Sequence, residues 1–386
     1  MGQNTVRAEQ SRLYYIDNLR WTVIVLVVLM HSAVTYSGIG SWYYTEGARL
    51  SPLTKLTFLT GQAALQAFFM GLLFLVAGYF VPGSFGRKGA GRFLKDRCLR
   101  LGVPSLIYML VVHPFTVYCL LIPFLYGSRS SLGALYADYL LSLKVLSGTG
   151  PLWFAVALLA FSAVYAGARA ARPKLGLLKP SDPPGDAAVL GLVLAITASA
   201  FLIRTVQPIG TSVLNMQLCF FAQYVLLFIL GTEAYRRDWL RRLPYRQGVR
   251  WLTLALVVCG VTWLPMLLGT GPNGERMDRA LGGWHLESAA YCLWESLFCV
   301  GVCLGLIVLY RERLNRQGPL AKLLSDNAFA VYVFHTPVLV ALALAARGIA
   351  APPLVKFALL SMAGLLCSFA LCHLLLRRLP GLRSVL

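Results

Sequence analysis

Charged residues are scarce in this 386-residue chain, in which Asp, Glu, Lys and Arg make up only 13% of the sequence. A soluble domain carries about 25% charged residues, so the chain lacks the polar surface that water requires. It also lacks a polar remainder that could fold beside a single anchor, because apolar residues form 58% of the chain and recur in long blocks. Such repeated blocks are typical of a polytopic membrane protein.

Long polar connections are missing as well. The longest segments between apolar blocks, about 126–150 and 269–285, are too short for a domain with its own core. Backbone exposed to lipid must be regular, so we expect the apolar blocks to be helices. We therefore predict an all-α membrane protein in which a bundle over residues 21–376 is flanked by short segments, 1–20 and 377–386. The ten predicted spans are 21–38, 57–81, 101–125, 151–168, 187–203, 214–235, 251–268, 286–310, 326–346 and 353–376.

Acidic residues are few, with 15 Asp and Glu against 35 Lys and Arg, and the formal net charge is +20. In a soluble chain this charge would suggest nucleic acid as a partner. If the N-terminus is cytoplasmic, however, 26 of the 35 basic residues fall on the inner side of the predicted spans. This distribution follows the positive-inside rule and predicts that both termini are cytoplasmic. We expect a multi-pass protein of the plasma (inner) membrane whose basic side meets anionic lipid, and we expect no nucleic-acid partner.

Metal-ligand clusters are missing too. Most of the nine cysteines lie inside the predicted spans, where cysteine behaves as a small hydrophobic residue. Cys299 and Cys303 share a helix face, but no neighbouring His or Asp completes a zinc set. We expect neither a metal nor a disulfide framework.

Against this apolar background, the stretch DNLRWTVIVLVVLMH places a histidine inside the first span. Eleven helical positions turn through about 1100° and rise about 16.5 Å, so Arg20 at the inner rim and His31 near mid-membrane point the same way. Arg20 is either a snorkelling interfacial residue, paired with Asp17, or a ligand-binding one. His31 either makes a helix–helix hydrogen bond or is functional, and burial favours the neutral form that a general base needs.

Arg97 and Arg100 lie one turn apart at the inner start of the third span. Spacing alone is explained by the positive-inside rule. Guanidinium groups, however, bind phosphates in a bidentate manner, and this pair lies at the same membrane level as Arg20. A phosphate-bearing ligand that enters from the cytoplasm would meet all three arginines below His31.

Three further residues are candidates for an acceptor site. His335 lies in the ninth span, where Pro337 frees a backbone carbonyl nearby, and structural and functional roles are equally open. Glu295 near the middle of the eighth span is either a protonated hydrogen-bonding group or part of the chemistry. Trp153 lies near the outer boundary, where tryptophan is common for interfacial reasons alone.

The residues also resemble those of a known family. Arg20 followed after ten residues by His31 resembles the R-x10-H motif of the acyltransferase-3 family of integral membrane acyltransferases, and Arg97-Cys98-Leu99-Arg100 resembles its RxxR motif. GPLWF at 150–154 and NAFAVYVFHTPV at 327–338 resemble two further motifs of the family.

Within the family, segments 222–240 and 282–296 resemble the branch that includes the enzyme succinylating periplasmic glucans. The family resemblance implies that an acyl group moves from acyl-CoA, the expected donor, to a hydroxyl of a carbohydrate or other small acceptor. The layout of the residues fits this reaction, and our hypothesis is that Arg97, Arg100 and Arg20 hold the CoA phosphates while His31 acts as a general base or acyl carrier.

In that arrangement Asp17 orients Arg20, and Trp153, Glu295 and His335 shape the acceptor site. A secondary transporter with a His and Glu proton relay is the alternative. It would be expected to show related halves with paired interrupted helices, and none is evident by inspection.

Overall fold

A computed structural model of the chain describes residues 12–47, 49–127, 131–171, 181–268 and 275–379. The predicted terminal segments 1–20 and 377–386 therefore lie partly outside the described residues. Within the described ranges the protein is helical and has no strand beyond one isolated bridge, which confirms the all-α prediction. The helices are α1 (Tyr14–Ser37), α2 (Pro52–Arg97), α3 (Val103–Ile107), α4 (Ile122–Tyr126), α5 (Leu132–Leu141), α6 (Trp153–Ala171), α7 (Asp186–Arg204), α8 (Phe221–Arg237), α9 (Trp239–Arg242), α10 (Tyr245–Leu268), α11 (Glu275–Leu281), α12 (Leu286–Arg313), α13 (Pro319–Ala345) and α14 (Pro353–Leu374).

Nine helical segments among the described residues are long and apolar enough to cross a membrane. One of them, Pro52–Leu125, has 74 residues and contains both predicted spans 57–81 and 101–125. At about 1.5 Å per residue, a straight helix of this many residues would be several times longer than a bilayer is thick. The segment therefore has to reverse direction.

The reversal takes place at Gly89, whose φ of 73° and ψ of 169° are not helical. Residues eight apart in a straight helix are about 12 Å apart. Here the rings of Phe85 and Phe93 have centroids 5.7 Å apart, and Lys88 pairs with Asp96. The two predicted spans are thus consecutive antiparallel segments, and Gly89 supplies the left-handed backbone conformation that the turn requires.

The third predicted span is helical but irregular. Wide, π-helical turns over Cys98–Gly102, Tyr108–Val112 and Phe115–Leu121 alternate with α3 and α4. Prolines recur along this segment at positions 104, 114 and 123. Each proline removes a backbone donor, and π-type turns are one way in which a helix accommodates such a disruption.

Close packing of α2 against α8 forms the centre of the bundle. A Cβ atom built on Gly78 would lie 2.2 Å from the carbonyl oxygen of Phe228, and one on Gly231 would lie 2.1 Å from that of Leu75. Only glycine fits at either position. Small residues that allow backbones this close are the usual means of helix association in membranes.

The bundle has two distinct ends. At the end where α1 finishes, Ser37 donates to Gln62 at the start of α2 over 3.1 Å; we call it the outer end, following the charge distribution. At the inner end, Asn18 donates to the carbonyl oxygen of Leu314 over 2.7 Å, and Arg311 donates to that of Leu240 over 3.0 Å.

One predicted span begins too early. The prediction started it at 214, but Leu214 and Asn215 have positive φ angles of 50° and 64°, and the helical segment begins at Leu218. The Asn215 side chain stabilises this outer loop by donating to the Thr149 hydroxyl over 2.9 Å and to the Gly150 carbonyl over 2.8 Å.

Candidate active site

A cavity of about 1140 Å³ lies in the outer half of the bundle. Its outer wall is lined by residues of the outer connections at 39–43, 147–153 and 209–217, and by the end of α11 and the start of α12 within 280–291. The lining mixes aromatic rings with hydroxyl, amide and imidazole groups. The polar and aromatic residues among them include His31, Trp42, Tyr43, Gln62, Gln66, His113, Trp153, Asn215, Gln217, Tyr224, Trp263, Glu287, Tyr291 and Tyr332.

His31 lies on α1 and lines this cavity. Its ring stacks on Trp42, with centroids 3.7 Å apart and planes 14° apart. The Nδ1 atom of His31 is buried and has no hydrogen-bond partner. A buried imidazole nitrogen without a partner is uncommon. The neutral ring has a second nitrogen, Nε2, that can exchange a proton with a ligand in the cavity.

His335, on α13, lies directly beside His31, and the ring centroids are 5.3 Å apart. It is completely buried. Its Nδ1 atom lies 3.1 Å from the Val331 carbonyl oxygen and 3.0 Å from that of Tyr332. Pro337 has no N–H to donate to the carbonyl of Val333, four residues earlier. The His335 ring does not bond to that carbonyl but to those of Val331 and Tyr332. The structure brings together two histidines that are 304 positions apart in the sequence.

A second hydrogen-bonded group faces the same cavity. The Tyr43 hydroxyl lies 2.7 Å from Nδ1 of His113 and 3.1 Å from the Tyr108 hydroxyl. The His113 ring stacks on Tyr139 with centroids 5.4 Å apart. Burial raises the pKa of Tyr43 well above its usual range, so this loop phenol stays neutral and can donate a hydrogen bond at physiological pH.

The loop that carries Trp42 and Tyr43 is fixed at its far end. Glu46 pairs with the buried Lys356 of α14, and its backbone N–H donates to the Thr35 carbonyl over 2.9 Å. Lys356 also lies over the Tyr36 ring, 5.8 Å from the centroid. This buried ion pair holds the loop against the bundle, so the fold itself fixes the stacking of Trp42 on His31.

Trp153, at the start of α6, lines the cavity. Its ring packs on that of Tyr224 with centroids 5.6 Å apart. Exposed aromatic faces beside amide groups such as those of Gln66 and Asn215 suit a ligand with apolar ring faces and hydroxyl groups. The predicted contact of Trp153 with the acceptor therefore stays a prediction. The structure adds a cavity beside Trp153 in which an acceptor would lie.

Glu295 does not line the cavity. It pairs with Arg204 of α7, and both side chains are buried. The Arg204 guanidinium lies behind two cavity-lining rings, 5.3 Å from the centroid of Phe220 and 5.5 Å from that of Tyr291. The ion pair with Arg204 lies between Glu295 and the cavity, and the predicted contact of Glu295 with an acceptor stays a prediction.

Arg204 is a buried charge that the sequence reasoning missed. The fifth span was predicted to end at residue 203, which left Arg204 among the outer interfacial residues. A basic residue at a helix end is routinely exposed; only its pairing with Glu295, 91 positions away, shows that it is buried.

The predicted arginines meet at the inner end. Arg20 lies 3.7 Å from Asp17, which also accepts from Arg12 over 2.8 Å. The charges of Arg100 and Arg20 both act on the guanidinium of Arg97. The Arg20 side chain is 51% exposed, so the cluster is accessible to an anion from the inner side. Its role in binding a donor stays a prediction.

No group of three His, Cys, Asp or Glu side chains within the described ranges is placed to hold a metal ion. The Cys299 and Cys303 sulfur atoms lie 4.0 Å apart in the core, and all nine cysteines are free thiols.

The fold and the site define a polytopic membrane protein with a histidine-containing cavity at its outer end and an arginine cluster at its inner end. Comparison with protein families gives the finer assignment. The family model described as an acyltransferase domain matches residues 13–373, and the chain belongs to this acyltransferase-3 family. It is a membrane acyltransferase, and transport is not favoured. Comparison with curated proteins and with solved structures gave no match.

Proposed function

We propose that the protein is an O-acyltransferase that uses acyl-CoA. It would take an acyl group, such as acetyl or succinyl, from acyl-CoA on the cytoplasmic side of the plasma (inner) membrane. The acceptor would be a hydroxyl group of a carbohydrate or other small molecule in the outer cavity. The resemblance of segments 222–240 and 282–296 to the glucan-succinylating branch makes an envelope glucan the acceptor class to test first.

The unpaired His31 ring in the cavity is the observation that carries this proposal. O-acyl transfer needs a base close to the acceptor hydroxyl. Of the two cavity-lining histidines, His31 has no side-chain hydrogen bond among the described residues, whereas His113 is bonded to Tyr43. Because the enzyme belongs to an acyltransferase family, the most economical role for His31 is proton transfer to or from the reacting groups.

In the proposed step, His31 accepts the proton of the acceptor hydroxyl while the hydroxyl oxygen attacks the thioester carbonyl. The C–O bond forms, the C–S bond breaks, and the proton passes from His31 to the CoA thiolate. Neutral His31 is regenerated. In the alternative course, the His31 ring nitrogen attacks the thioester carbonyl, the C–N bond forms, the C–S bond breaks and CoA leaves as a thiolate. The acceptor oxygen then attacks the acyl group, the C–O bond forms and the C–N bond breaks, and in sum one proton passes from the acceptor hydroxyl to the CoA thiolate.

The arginine cluster lies on the opposite side of His31 from the outer loops. Arg20 is about 16.5 Å below His31 along α1, and the charges of Arg20 and Arg100 both act on Arg97. Arginine side chains suit phosphate groups because the guanidinium fork matches their geometry. We propose that they hold the CoA phosphates while the flexible thiol-ended arm extends toward His31.

Replacement of His31 tests the proposal directly. In His31→Ala we expect acyl transfer to fall by at least about 100-fold, because general acid–base catalysis contributes this much or more. Membranes are incubated with labelled acetyl-CoA or succinyl-CoA, and label is counted in glycans. His285→Ala is the matched control, since His285 is exposed and outside the cavity lining.

Near wild-type transfer in folded His31→Ala would end the proposed role of His31. The same assay without acceptor separates the two courses. Label on the protein that is lost in His31→Ala indicates an acyl-histidine, and its absence in the wild type indicates a base.

A further inference from the structure

The hydrogen bonds of His335 fix which of its nitrogens carries the proton. Its Nδ1 atom lies within 3.1 Å of two backbone carbonyl oxygens, and carbonyl oxygens can only accept hydrogen bonds. Nδ1 is therefore the protonated nitrogen. In the neutral ring the lone pair is then on Nε2, and Nε2 of His335 is buried without a partner.

The neighbouring ring of His31 also has a nitrogen without a hydrogen-bond partner. Nδ1 of His31 is also buried without a partner, and the two rings lie next to each other with planes 17° apart. Two buried nitrogens on adjacent rings thus both lack a hydrogen bond, although such groups are nearly always paired. One of them, on His335, can only accept.

We propose that His335 positions the His31 ring by accepting a hydrogen bond from its Nδ1–H, which leaves the lone pair of His31 on Nε2. The inference rests on the proposed function of His31 and deepens it. In this proposal the His335–His31 bond, which the two unpartnered nitrogens do not make in the structure, forms when the adjacent rings turn toward each other. It extends the observed bonds between the Val331 and Tyr332 carbonyls and His335. Each step fixes the tautomer of the next ring.

The arrangement has a consequence for charge. When His31 Nε2 takes the proton of the acceptor hydroxyl, the ring becomes a cation that donates to Nε2 of His335. Setting the tautomer and stabilising the cation are the two roles that the aspartate has in Ser-His-Asp triads; here a neutral imidazole would have them. His335 touches neither substrate nor the reacting atoms in this scheme, so it is a positioning residue.

A pair of variants tests the role of His335. His335→Leu keeps a buried apolar side chain but removes the acceptor, and His335→Gln keeps an acceptor oxygen near the position of Nε2. We expect kcat to fall by about 10- to 100-fold in His335→Leu, the size of loss seen when the hydrogen-bond partner of a metal-ligating histidine is removed. The KM values for both substrates should stay within about twofold, and His335→Gln should recover most of kcat.

A second readout is independent of activity. The chain has five histidines, so ¹⁵N-histidine NMR of the full-length protein in lipid bilayers can be assigned with single variants. We expect both His31 and His335 to carry the proton on Nδ1. In His335→Leu the His31 signals should change to the other tautomer or to a mixture, and in His335→Gln they should not.

The outcomes separate this inference from the proposed function. If His31→Ala is inactive while folded His335→Leu keeps wild-type kcat and an unchanged His31 tautomer, the positioning role is overturned and the function of His31 stands. If His31→Ala keeps activity, the proposed role of His31 fails, and the positioning role of His335, which rests on it, fails with it. Equal loss of kcat in His335→Leu and His335→Gln, with the His31 tautomer unchanged, would also overturn the positioning role.

Discussion

At the scale of single residues, the Trp42 side chain has the closest ring contact with His31. The indole covers one face of the imidazole at 3.7 Å, while His335 lies beside it. An aromatic face attracts a cation. Trp42 therefore favours the protonated state that His31 reaches during proton transfer, and it holds the ring plane in one orientation.

Replacement of Trp42 should therefore lower the rate more than the affinity. We expect kcat of Trp42→Leu to fall about tenfold, since a cation–π contact contributes about 0.5–2 kcal/mol, whereas Trp42→Phe keeps a ring and most of the rate. Steady-state kinetics at saturating acyl-CoA measures this difference. Equal rates for Trp42→Leu and wild type would show that the stack has no part in the reaction.

At the scale of helices and loops, the Arg204–Glu295 pair connects α7 with α12 behind the cavity wall. Neither group is exposed to water. The same contact places a positive charge behind the Phe220 and Tyr291 rings, so its loss should disturb packing first and the cavity second. We therefore expect a structural role for the pair, and the acceptor contact predicted for Glu295 from the sequence stays a prediction.

Removal of one member of this pair should destabilise the protein. In Glu295→Leu the Arg204 charge stays buried without a partner, which costs about 3–5 kcal/mol. The double variant Arg204→Met with Glu295→Leu should recover much of this loss, because an apolar pair needs no counter-charge. Thermal unfolding in detergent compares the three proteins. Wild-type stability of Glu295→Leu together with lost activity would instead support a direct role in the reaction.

Most helices were predictable from the sequence because each apolar block is long enough to cross a membrane. The start of α12 was predicted at residue 286 and is observed at Leu286. Two features had no signal of this kind. Trp42 and Tyr43 lie in an outer connection, and a hydropathy pattern cannot show that a connection folds back into the bundle. The turn at Gly89 was likewise hidden within a polar segment that the prediction treated as a simple loop.

The candidate site was predictable only in part, for the same reason. Arg20 and His31 share one helix, so helical geometry relates them. The charge of Arg20 acts on Arg97, which is consistent with the common depth predicted for the two residues. The contact between His31 and His335 depends on how α1 packs against α13, and that of Glu295 with Arg204 on α7 and α12. Such contacts between distant helices follow from side-chain packing, which periodicity does not determine.

At the scale of the whole molecule, the two ends of the bundle differ in charge and in shape. Basic residues are concentrated at the inner end, where 26 of the 35 Lys and Arg were assigned from the sequence. The cavity and its lining loops lie at the outer end. This asymmetry suits a reaction whose anionic donor and hydroxyl acceptor approach from opposite sides, with His31 between them.

Sealed vesicles of known orientation test this asymmetry. Charged acyl-CoA does not cross a bilayer, so we expect transfer when the donor is on the inner side and the acceptor on the outer side. Donor supplied only on the outer side of right-side-out vesicles should give no product until detergent opens them.

The double variant Arg97→Ala, Arg100→Ala should raise the KM for acyl-CoA about tenfold or more, in keeping with the strength of charge-assisted bonds, and leave the acceptor KM unchanged. Product formed in intact vesicles from donor on the outer side would place both substrates at the outer cavity and remove the need for the inner arginine cluster.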